Sequence, residues 1–173
     1  MPQQPVDPQE AAAWLEIQNT PWPVDLLKHC QAFLEKYPDS AQAKSVALYQ
    51  AGAADSLRVL RAKEVKLFKT SFVVPAVNNS QDEPVNDLSR AARGDKDAAA
   101  RIARMHLALN TTQGQLRYLG WLQFAGGLGN GIASYELALH YRANEQPLLA
   151  AQAEARARQL GYSPPRALGH DRK

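Results

Sequence analysis

Apolar positions recur along most of this chain at spacings of three and four, the period of a helix with one buried face. Leu26, Leu27, Cys30, Phe33, Leu34 and Tyr37 form one such stripe and predict a helix from about Val24 to Lys36, ended by Pro38. Ahead of it, Asp7-Pro8-Gln9-Glu10 reads as a helix start. Asp7 accepts from free N–H groups, Pro8 needs no hydrogen at the first helical position, and Glu10 completes a capping box. That helix runs to about Ile17, and Thr20-Pro21-Trp22-Pro23 then breaks the chain, because each proline lacks a donor and pushes its predecessor out of the helical region. After the capping residues Asp39 and Ser40, the positions Ala43, Val46, Ala47, Ala54, Leu57, Leu60 and Phe68 predict one long helix reaching Lys69, weakened in its middle by Gly52.

From Thr70 to Glu83 the helical period is lost. Phe72-Val73-Val74-Pro75-Ala76-Val77 and then Asn78-Asn79-Ser80-Gln81-Asp82-Glu83 read as an extended connection whose apolar half is pinned across a helix pair. Beyond Pro84 the chain repeats itself. Ala-rich segments close on Gly94, Gly129 and Gly161, 35 and 32 residues apart, where a left-handed turn after a helix suits glycine. Asp95 and Asn130 follow the first two and can cap the next helix. A shift of 35 lays Leu137-Ala138 on Ile102-Ala103 and Ala133 on Ala98, and breaks at Thr111-Thr112 and at Asn144 to Pro147 split each unit in two. The unit is a helix-turn-helix of about 34 residues.

In these residues the chain resembles the Sel1-like repeat family, a branch of the tetratricopeptide-type helical repeats. Ala133 to Tyr141 carries the small-residue pattern of that family's first helix, and Trp121, eight residues before Gly129, its second-helix aromatic. Ala153 stands in the aromatic's place before Gly161 and Asn86 before Gly94. Phe33 to Ser40 looks like a degenerate tetratricopeptide unit, with a phrase common in bacterial repeat proteins. The resemblance implies stacked helical hairpins without catalysis of their own, serving as a scaffold or adaptor. The expected architecture is all-α, a short solenoid of about seven helices. It divides into a hairpin region 1–69, a linker 70–84, a Sel1-like region 85–163 and a mobile tail 164–173.

At 173 residues, the chain is too short for two full enzyme domains. Its charge of +3 is too small to diagnose nucleic-acid binding. No stretch approaches the roughly 20 apolar residues of a membrane span. Without a secretory leader in the sequence as it stands, a cytoplasmic place is expected; a periplasmic or secreted one would go with a removed leader.

The candidate partner-binding residues are Arg101, Arg104 and Arg142 on first helices and Arg117 on the helix between. Guanidinium forks grip carboxylates in bidentate fashion, which suits another protein with an acidic segment. Solvated ion pairs are the plainer role for the same side chains. The alternative reading is a nucleic-acid stripe of Arg58, Arg61, Lys63, Lys66 and Lys69 along about three turns of the long helix, opposed by Glu64 and by the lack of interleaved aromatics.

Catalytic chemistry finds little support. The lone Cys30 beside His29 forms no dyad, since adjacent helical positions point apart. His29, His106, His140 and His170 lack metal-site spacing, although His106 and His140 fall at nearly equivalent places in successive units. Gly126 to Gly131 follows a helix and has no lysine, so it reads as a turn, not a phosphate loop. No cofactor or metal is expected. Trp14, Trp22 and Trp121 read as core anchors.

Overall fold

The computed structural model describes residues 7–75 and 83–164, and the fold there is all-α with no strand. Eight α-helices are found where about seven were expected: α1 Pro8–Asn19, α2 Pro23–Lys36, α3 Ala43–Leu60, α4 Glu83–Ala92, α5 Lys96–Ala108, α6 Thr112–Gly127, α7 Gly131–Ala143 and α8 Pro147–Gln159. They pack as adjacent pairs, most closely as the hairpins α2–α3, α5–α6 and α7–α8. His170, residues 76–82 of the connection and nearly all of the tail lie outside the described residues.

Local chemistry accounts for the boundaries of the repeat. Gly94, Gly129 and Gly161 all take left-handed φ, of +87°, +104° and +80°. Each places the next residue's N–H on a carbonyl five residues back: Asp95 on Arg90, Asn130 on Ala125, Tyr162 on Ala157. Asp95 caps α5 through the N–H groups of Asp97 and Ala98, and Asn130 caps α7 through that of Ala133. Asn130 also donates to Asp97 at 2.9 Å, joining one unit's cap to the previous unit's first turn. Asp7 caps α1 through Gln9, but Glu10 closes no capping box: it accepts from the Ser40 hydroxyl and ties α1 to the start of α3.

The long third helix is shorter than its apolar pattern suggests. It ends at Leu60, turns through 61–64, and runs on extended except for a 3-10 turn at Lys69–Ser71. In that stretch Val65 and Leu67 are buried while Lys66 and Phe68 face out, an alternation of period two that belongs to extended chain. Gly52 serves a close approach: a Cβ there would sit 1.9 Å from the Arg93 carbonyl oxygen, so only glycine lets α3 meet the end of α4.

Residues 65–75 form a strap laid against α5 and α6. Phe72 is buried among aromatic rings, 5.4 Å from Trp22, 4.7 Å from Trp121 and 6.0 Å from Phe124, centroid to centroid. With Val65 and Leu67 also buried, the strap contributes three core side chains, each stabilising by about 1.5–3 kcal/mol. Phe72 of the connection is thus part of the core, and Val73 to Pro75 are half-buried after it. Trp121 lies fully inside, Trp22 meets Phe72 edge-on, and Trp14 stacks on Tyr49 with ring centroids 5.4 Å apart.

Candidate functional site

The α5–α6 hairpin grips the strap by its main chain. Gln123 Oε1 accepts from the Lys66 N–H at 2.8 Å, and the Trp121 indole donates to the Ser71 carbonyl at 3.2 Å. His106 Nε2 lies 3.0 Å from the Val73 carbonyl, which can only accept, so the ring carries its proton on Nε2. Nδ1 is then a buried nitrogen without a hydrogen-bond partner among the described residues. Burial holds the imidazole pKa below its ordinary value; the Val73 bond pulls the other way, and the Arg117 charge adds to burial. Gly120 makes room for the main chain, since a Cβ there would lie 2.5 Å from the Lys66 carbonyl oxygen.

Beside the strap opens a groove of about 550 Å³, between the end of α3, the back of α6 and the α7–α8 hairpin. Ser134, Leu137 and Tyr141 line it from α7 at positions i, i+3 and i+7, one face of a helix. Leu149, Ala153 and Arg156 line it from α8, and Arg58 and Glu64 from its other rim. The Tyr141 hydroxyl accepts from Gln123 Nε2 at 3.1 Å, so one glutamine joins the strap's main chain to the groove. Gly126 and Gly127 leave the back of α6 bare; a Cβ on Gly127 would lie 2.4 Å from Val59 Cγ1.

Three of the four candidate arginines are paired within the chain. Arg101 makes a two-pronged contact with Asp87, at 2.9 and 2.7 Å, and that hydrogen bonding raises its pKa. Arg104 reaches Glu136 at 3.1 Å, joining α5 to α7. Burial, with Glu136 close by, pushes the Tyr118 phenol up to about 12. Arg142 meets Glu154 at 2.9 Å, and Glu154 also takes Arg158; hydrogen bonding from Arg158, with both charges, lowers its pKa. Arg117 is half-buried on α6.

The five cations do not share one helix, because α3 ends at Leu60. Arg58 is tied to Asp55 and Lys69 to Asp25, while Arg61, Lys63 and Lys66 are exposed along the turn and the strap. His106 and His140 do not converge either: His106 is buried under the strap, and His140 is half-exposed beside Asn144. Residue 141, not 140, stands 35 places after His106. His29 meets the Thr20 hydroxyl at 3.1 Å, and burial pushes the Cys30 thiol up to about 11, against the pull of Arg93. Among the described residues no group of three or more His, Cys, Asp or Glu side chains is placed to hold a metal ion, and no helix is long and apolar enough to cross a membrane.

No family model matches the chain, and no curated protein or solved structure matches it. Sequence reasoning missed the groove and its residues Ser134, Tyr141 and Arg156. The signal for them was the aromatic missing at Ala153, which marks where the second unit leaves space that the first fills.

Proposed function

We propose that the chain is a non-catalytic interaction scaffold of the Sel1-like kind, an adaptor that holds a segment of another protein on its hairpin surface without a cofactor. One observation carries this reading. Side chains of one hairpin already hold an extended segment by its main-chain N–H and carbonyl groups, through Gln123, Trp121 and His106. A surface that binds main chain in this way suits peptide recognition. The paired arginines refine the picture: an acidic segment reaching Arg101, Arg104 or Arg142 competes with Asp87, Glu136 or Glu154, so those sites add selectivity more than affinity.

The test is affinity capture by the full chain after nuclease treatment, at low and moderate salt, followed by titration of each captured protein, purified, against the chain. Saturable binding of one defined protein that survives nuclease is the expected outcome. Recovery of nucleic acid alone, falling steeply as salt rises, would reject the scaffold and transfer the function to the cations between Arg58 and Lys69.

A further inference from the structure

The strap shows what the first hairpin holds, and the repeat carries that geometry onto the second. A shift of 35 residues takes Ala99, Ile102 and His106 of α5 onto Ser134, Leu137 and Tyr141 of α7. A shift of 32, fixed by the closing glycines, takes Gly120, Trp121 and Phe124 of α6 onto Gln152, Ala153 and Arg156 of α8. The first set includes the groups that meet the strap: His106 on the Val73 carbonyl, Trp121 on the Ser71 carbonyl, Trp121 and Phe124 on the Phe72 ring. The second set lines the groove of about 550 Å³. The groove is therefore the second unit's copy of the strap site.

We infer that this groove receives an extended peptide segment of a partner protein, carrying one aromatic side chain and one nearby carboxylate. The inference rests on the scaffold reading and names its site and partner chemistry. Three substitutions between the units supply the chemistry. Ala153 in place of Trp121 removes an indole and leaves a slot for a ring that the peptide must bring. Tyr141 in place of His106 presents a hydroxyl at the carbonyl-binding position; it accepts from Gln123, so its own hydrogen is left to donate to a peptide carbonyl. Arg156 in place of Phe124 sets an exposed guanidinium on the rim, with no ion pair among the described residues. Arg58 opposite is already held by Asp55, and Glu64 on that rim repels a second acid, which limits the preference to one carboxylate.

The probe is a set of fluorescent synthetic decapeptides in which one Phe, Tyr or Trp and one Asp are walked through an Ala/Ser background, titrated by anisotropy against the full chain. Binding is expected at one preferred spacing of ring and acid. Ala153→Trp, which rebuilds the first unit's indole in the slot, should weaken it at least about tenfold with the thermal midpoint unchanged. Tyr141→Phe should weaken it about 3–10-fold, the loss of one hydrogen bond. Arg156→Gln, at an exposed position, should abolish the preference for Asp over Asn. Absence of binding by every peptide at millimolar concentration overturns the proposal, and so does equal binding by the Ala153→Trp chain. Failure of this site is distinct from failure of the scaffold: a protein captured equally well by wild-type and Ala153→Trp chains leaves the scaffold standing on another surface.

Discussion

Helices α6 and α8 occupy equivalent places in successive units, yet α6 is enclosed from Gly120 to Gly126, whereas α8 buries only Ala150 and Ala157. Where α6 has Gly120, Leu122, Phe124 and Gly126, α8 has Gln152, Glu154, Arg156 and Arg158. A helix between two neighbours needs apolar or vanishing side chains all round. Among the described residues α8 packs closely on α7 alone, and its outer face is polar. Glu154 of α8 holds Arg142 of its own hairpin and Arg158 one turn on. The two grooves differ by the same logic: one is filled by the strap and has become core, the other stays open.

Loss of the largest side chain in the filled groove should have the greatest effect. Trp121→Ala should lower the stability measured by urea unfolding by about 3–5 kcal/mol, while Ala153→Trp at the equivalent site should change it by less than about 1 kcal/mol. Gly120→Ala drives a methyl into the Lys66 carbonyl and should cost about 1–3 kcal/mol; Gln152→Ala should stay within about 0.5 kcal/mol in the same assay.

The filled groove should also make stability depend on pH. Folding keeps His106 neutral below its ordinary pKa, so its contribution is complete above the unfolded value and declines as pH falls from there toward the folded one. The free energy of unfolding measured in urea should therefore fall between pH 7.5 and pH 5, by at most about 1.4 kcal/mol per pH unit from this group. His106→Gln, which can still donate to Val73, should flatten the profile. The smallest effect is local. Asn110 and Glu145 end the first helices of the two units at φ of +50° and +56°, a region asparagine tolerates better than glutamate. Glu145→Asn should raise stability by about 0.5 kcal/mol, and Asn110→Glu should lower it by a similar amount, both seen in thermal midpoints.

What was legible in the sequence was whatever a few neighbouring residues decide. The glycines at 94, 129 and 161, the caps Asp95 and Asn130 and the breaks near Thr111 and Gln146 all act within one turn, so spacing alone revealed the hairpins. The end of α3 was missed because the chain from Arg61 to Phe68 keeps enough apolar positions to mimic a helix, although Val65 and Leu67 already alternated with Lys66 and Phe68. The candidate site was less legible. The partners of Arg101 and Arg104 lie 14 and 32 residues away, and Gln123 meets Lys66 across 57, distances at which no local pattern operates. The missing aromatic at Ala153 was visible, but its meaning depended on knowing what lay against Trp121.

The strap also sets an order of events during synthesis. Phe72 leaves the ribosome 49 residues before Trp121, the ring it packs on most closely, an interval of roughly 2–10 s at ordinary elongation rates. During that time Val65, Leu67 and Phe72 have no α6 to cover them. Lys66 and Lys69, spaced among these apolar side chains, are positioned as gatekeepers that keep the nascent segment in water until its hairpin arrives.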